Sequence, residues 1–229
     1  MNSTLRTRGM PPFHGGSRAS RLSIWLLTLA LAAAYSDDDD AGVRTFFGRL
    51  SEGDETVGVE VVQDTAQVYV CDGNSTGEFF QGIPVDDRLA LTSARGAELD
   101  AVIGPDSVTG TFREFPADPL RSFTALPGSR VGVYEVTISA DGVARGNSFG
   151  GGELEITFAD DNTATGHVRY PSGETETRTD TYQQFFEGDP LIGFDPDSAG
   201  PARFTATDGL IVGGTSKPGV RHFWNISPD

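Results

Sequence analysis

Four times in this chain a stretch of alternating apolar and polar residues runs into an aspartate-led turn, and a glycine follows inside the returning segment. The alternating apolar positions are Leu99, Ala101 and Ile103; Tyr134, Val136, Ile138 and Ala140; Leu154, Ile156 and Phe158; and Phe204 and Ala206. The units that follow are Asp106-Ser-Val-Thr-Gly110, Asp141-Gly-Val-Ala-Arg-Gly146, Asp161-Asn-Thr-Ala-Thr-Gly166 and Asp208-Gly-Leu-Ile-Val-Gly213. A period of two sends successive side chains to opposite faces of a strand. Between the apolar positions lie Glu98, Asp100, Glu135, Thr137, Ser139, Glu153, Glu155, Thr157, Arg203, Thr205 and Thr207. Each strand is therefore expected to bury one face and wet the other, as antiparallel sheets do. Asp-Gly and Asp-Asn supply positive φ angles and predict tight primed hairpin turns. A glycine inside a strand weakens packing unless it permits a bulge or a close approach, so its recurrence predicts sharply bent sheets. No helical period is sustained over ten residues after position 41. The fold class expected is all-β: an antiparallel meander of hairpins forming a bent barrel or a sandwich.

The least strand-like mature segments run over 35–43, 115–130 and 187–201. The first reads as an acidic leader. The second holds Pro116, Pro119 and Pro127 and divides a β lobe at 44–128 from another at 129–229, unless the two form one continuous domain. The third is a long Gly/Pro/Asp loop, expected as a recognition surface because long loops in compact domains are often functional. Gly96-Ala-Glu-Leu99 leading to Thr109-Gly110 also parallels Gly152-Glu-Leu154 leading to Thr165-Gly166, an echo at the level of one hairpin.

At the start of the chain Arg6, Arg8, Arg18 and Arg21 precede an apolar run from Leu22 to Ala34, followed by Asp37-Asp38-Asp39-Asp40. A basic region, a short hydrophobic helix and small residues such as Ala32 and Ala34 are the parts of a secretory signal peptide, expected over 1–34. The run's 13 positions fall short of the roughly 20 that a membrane-spanning helix needs. The alternative is an uncleaved N-terminal anchor. No cysteine follows the run to carry a lipid, and no arginine pair marks a twin-arginine signal. The expected location is the secreted fraction or the extracytoplasmic cell envelope, with a membrane contact only if the segment is retained.

Cleavage would leave 13 basic against 33 acidic residues. Such a balance keeps a chain soluble and monomeric and repels nucleic acid, whose phosphates demand Lys and Arg contacts. The partner expected is an extracytoplasmic protein, a glycan or a small ligand. The single cysteine, Cys71, cannot bridge internally; set in Val68-Tyr69-Val70-Cys71, it reads as a buried thiol, the alternative being an intermolecular disulfide.

Gly146-Asn147-Ser148-Phe149-Gly150 matches the G-x-S-x-G pattern of a nucleophile elbow, and Asp195, Asp208 and His222 follow in the order of a hydrolase triad. The pattern works on a strand-to-helix turn above a parallel sheet, and neither is foreseen here. His167 and His222 are the only histidines past the signal, and neither has a ligand-spaced partner. Asp195-Pro-Asp197-Ser-Ala-Gly200 starts like a calcium loop, but Ala199 and Ala206 occupy positions that should supply ligands. The pairs Phe46-Phe47, Phe79-Phe80 and Phe185-Phe186 are each expected to send one ring to the core and its neighbour to the opposite face. No catalytic residue, cofactor or metal ligand is assigned on this basis.

Val68-Tyr-Val-Cys-Asp72, Phe79-Phe-Gln-Gly82, Leu89-Ala-Leu-Thr92, Gly96-Ala-Glu-Leu99 and Val108-Thr-Gly-Thr-Phe112 together resemble a set of uncharacterised exported proteins of actinobacteria, over about residues 57–138. The resemblance implies export and carries over no activity, cofactor or site residue. The function expected is that of an exported non-catalytic β-domain that binds a ligand or partner. The alternatives are a secreted serine hydrolase using Ser148 and His222, and a structural envelope protein anchored by Leu22 to Tyr35.

Overall fold

A computed structural model describes residues 42–228, so the expected signal over 1–34 and most of the acidic leader lie outside the described residues. Among the described residues no helix is long and apolar enough to cross a membrane.

The chain is all-β. Its first eight strands are β1 (Arg44–Leu50), β2 (Thr56–Val62), β3 (Thr65–Cys71), β4 (Gly77–Gly82), β5 (Arg88–Thr92), β6 (Glu98–Ile103), β7 (Val108–Arg113) and β8 (Arg121–Pro127). After a three-residue link come β9 (Val131–Ile138), β10 (Val143–Ser148), β11 (Glu153–Phe158), β12 (Thr163–Arg169), β13 (Thr175–Phe186), β14 (Asp189–Leu191), β15 (Gly200–Thr207), β16 (Leu210–Thr215) and β17 (His222–Ser227). All pairings are antiparallel, and they make two barrel-like sheets.

In the first sheet the order is β4-β3-β2-β1-β8-β7-β6-β5, a meander in which β1 and β8 join the chain ends. β4 and β5 remain its unpaired edges. In the second, β9 pairs with both β10 and β15, and β13 pairs with β12 through its first half and with β17 through its second. That double use of a long strand closes the ring. Each interior is filled by side chains: Phe46, Phe80, Leu89, Leu99 and Phe112 in the first barrel, and Tyr134, Tyr170, Phe204 and Trp224 in the second.

The four expected hairpins are present as β6–β7, β9–β10, β11–β12 and β15–β16. Their turns differ from the primed type expected. After β9 and β11 the first residue of a five-residue turn donates its N–H to the carbonyl of the fifth, and the fourth is left-handed: Gly142 at φ 79° and Asn162 at 63°. The same turn recurs at 93–97, 148–152 and 170–174, with Gly96, Gly151 and Gly173 in the left-handed position. This is a type I turn with a glycine bulge, and it adds twist that a meander needs in order to curl.

Three expectations about elements are corrected. The expected linker over 115–130 contains β8, which hydrogen-bonds to β1 and β7. The expected loop over 187–201 is partly regular: β14 folds back on β13 through Glu187 and Gly188, both at positive φ, and a 3-10 turn at Pro196–Ser198 follows. Ala140, placed on the buried face of its strand, is exposed because it lies in the turn.

The wet outer face expected for β15 is dry. Thr205 and Thr207 are buried because β15 and β9 turn that face towards β2 and β3 of the first barrel. Three glycines of the first barrel make the approach possible. A Cβ on Gly58 would lie 2.6 Å from Thr205 Oγ1, one on Gly77 2.9 Å from the Phe223 ring, and one on Gly73 2.8 Å from the Trp224 carbonyl oxygen. Tyr69, Cys71, Val133, Val212 and Phe223 form the apolar centre of this contact.

Candidate functional site

Ser148 and His222 are not brought together. Ser148 ends β10 and His222 begins β17, and round the second barrel these strands are four places apart in either direction. Ser148 is also the first residue of a five-residue turn, where its Oγ accepts from Gly152 N at 2.8 Å. Ser93 and Ser139 begin two of the other such turns, and their hydroxyls accept from Ala97 N and Val143 N in the same way. The G-x-S-x-G match is therefore a hairpin turn, and the serine hydroxyl pins it.

His222 is buried, 3.4 Å from the Gln184 side-chain amide and 3.7 Å from Asp195 Oδ2, with the Phe186 ring edge-on at 5.0 Å. Burial lowers its pKa and favours neutral imidazole. Asp195 caps the 3-10 turn by accepting from Asp197 N at 2.9 Å. Among the described residues no group of three or more His, Cys, Asp or Glu side chains is placed to hold a metal ion. His167 is exposed on β12 beside Thr177. Cys71 is fully buried. Of the phenylalanine pairs, Phe46 and Phe80 enter the first core, while Phe79 lies under the Arg203 guanidinium at 3.8 Å. Neither Phe185 nor Phe186 enters the second core: Phe185 packs on the inter-barrel contact and Phe186 is exposed.

With both interiors filled, recognition falls to the outer surface. A groove of about 290 Å³ opens between the barrels, lined by Arg49, Asp54, Asp72 and Asn74 from the first and by Gln183, Phe185 and Asn225 from the second. Its floor is built firmly. Asp72 Oδ1 accepts from the backbone N–H groups of Asn74, Ser75 and Thr76, and Cys71 Sγ accepts from Gly73 N, which fixes the β3–β4 turn. That turn lies directly on Asn225, 3.1 Å from a Cβ built on Gly73.

The polar groups facing this groove are largely unspent. Among the described residues the side chains of Arg49, Asp54, Asn74 and Gln183 make no hydrogen bond or ion pair, and Asn225 Oδ1 is buried without a partner. Sequence reasoning missed this set because its members come from β1, two turns, β13 and β17. Only the Asp72-Gly73-Asn74 turn had a local signature.

No protein-family model and no curated protein matches the sequence. Among solved structures the chain is similar, at 12% identity and a TM-score of 0.16, to the beta subunit of the DNA polymerase of Streptococcus pyogenes, over 87% of this chain and 61% of that one. A likeness at that level carries no argument about function.

Proposed function

We propose that the protein is an exported, non-catalytic binding module of the cell envelope or secreted fraction, and that it takes its ligand in the groove between the two barrels. The convergence of unpartnered polar side chains on that one groove carries the reading. Ligand sites favour clefts between packed units, with a few convergent polar groups beside apolar wall. Export rests on the arginine-flanked apolar run from Leu22 to Ala34 and its acidic sequel.

The test is a fragment library titrated against the isotope-labelled protein. Binders are expected to shift the amide resonances of Asp54, Asn74, Gln183 and Asn225 together. Shifts scattered over the surface, or hydrolysis of any substrate in a broad panel that disappears in Ser148→Ala, would overturn the proposal.

A further inference from the structure

We infer that the groove is built for a neutral sugar unit, an inference that rests on the binding reading above. Its hydrogen-bonding groups are mixed. Asn74 and Gln183 each carry a carbonyl acceptor and two amide donors, Arg49 offers only donors, and Asp54 only acceptors. A partner for such a set must itself donate and accept at several neighbouring positions, as vicinal hydroxyls do.

On the second-barrel side Phe185, Leu210 and Val212 lie beside Gln183 and Asn225 and give that wall an apolar part. A pyranose has the matching asymmetry: hydroxyls round its rim and a face of C–H groups that lies well against an aromatic ring. Charge argues against the other small polar ligands. An anion would meet the Asp54 and Asp72 carboxylates, and a cation would meet the unpaired Arg49 guanidinium. The volume of about 290 Å³, just under the roughly 300–1,000 Å³ of drug-sized ligand sites, suits one sugar ring. A second depression of about 240 Å³ shares Gln183 and Phe185 with the groove and continues over Pro190 and Leu191. A chain of two or three units would thus cross β13.

The experiment titrates the full chain, by amide chemical shifts, with neutral mono- to trisaccharides of glucose, mannose, galactose and N-acetylglucosamine, and separately with inorganic phosphate, free glutamate and free arginine. At least one saccharide is expected to shift Asp54, Asn74, Gln183 and Asn225 saturably, trisaccharides extending the shifts to Leu191. Asn74→Ala with Gln183→Ala should weaken that binding at least about tenfold without altering the fold, since neither amide has a partner in the free protein. If phosphate, glutamate or arginine shifts the groove and no saccharide does, the sugar assignment is wrong and the binding reading stands. If no saccharide, control or library fragment shifts it, both fail.

Discussion

A Cβ added to Gly146 would fall on the Glu135 carbonyl oxygen, and one on Gly110 on that of Asp100. At Gly213 the obstacle is the Phe204 ring, whereas at Gly166 the nearest atom is Ile211 Cδ1 at an ordinary 3.4 Å. These glycines look alike in sequence, each following an aspartate turn, yet only three are sterically required. Gly110→Ala, Gly146→Ala and Gly213→Ala are expected to cost about 1–3 kcal/mol or more, since backbone must move. Gly166→Ala should be neutral or stabilise by about 0.4–1 kcal/mol through the unfolded chain. Urea midpoints of the four variants check this, and an equal loss at Gly166 would contradict it. What sequence could show was that such glycines permit close approach. Which of them do so depends on how the neighbouring strand coils over each one, a tertiary property. Cys71 belongs to the same scale: burial pushes its thiol up to about 12, so thiol reagents should label it only at the rate of unfolding.

The two barrels close by different means at the level of strands. β12 and β13 share a ladder from Thr163↔Thr181 to Arg169↔Thr175, whereas β4 and β5 meet without one. Side chains close that seam instead. Ser93 Oγ donates to Glu78 Oε2 at 2.6 Å, Arg95 Nη1 lies 3.1 Å from Glu78 Oε1, and Leu91 covers Gly82. Because Glu78 is buried, Ser93→Ala leaves a carboxylate oxygen unpaired and should cost about 1–3 kcal/mol, whereas Ser139→Ala in an exposed copy of the same turn should stay within about 0.5 kcal/mol. Hydrogen exchange should be faster across β4 and β5 than across β12 and β13, and faster still in Ser93→Ala. Equal protection of the two seams would show that side-chain closure is as secure as a ladder. The strands easiest to read in sequence, β6, β9, β11 and β15, have period-two interiors. β2 was obscured because both its faces are buried, one by its own barrel and one by the other. β8 was hidden by Pro116 and Pro119 ahead of it and by Pro127, its last residue, none of which interrupts its ladder.

For the molecule as a whole, the docking of one barrel on the other governs both the groove and the pH response. The groove was illegible in sequence for that reason: its walls belong to elements more than a hundred residues apart, and only docking joins them. At that contact Glu60, fully buried, accepts from Val133 N at 3.2 Å and from Gly150 N. Burial raises its pKa above the ordinary 4.5, and the hydrogen bonds only partly offset that. A carboxyl whose pKa is higher folded than unfolded makes the native state bind more protons, so stability falls as pH rises from 4.5 through the raised value. Glu114, raised by burial at the seam of the first barrel, acts in the same direction. Glu60→Gln cannot ionise, and its amide can accept from only one of the two backbone N–H groups. It is therefore expected to be the weaker protein on the acid side and to lose less stability on going to neutral pH. Urea midpoints from about pH 4 to pH 8 decide the matter, with a shallower decline in the variant expected and the residue of the slope left to Glu114 and the general acidity of the chain. Parallel declines would mean that Glu60 titrates alike in the folded and unfolded chain, and that the contact between the barrels holds no proton-linked latch.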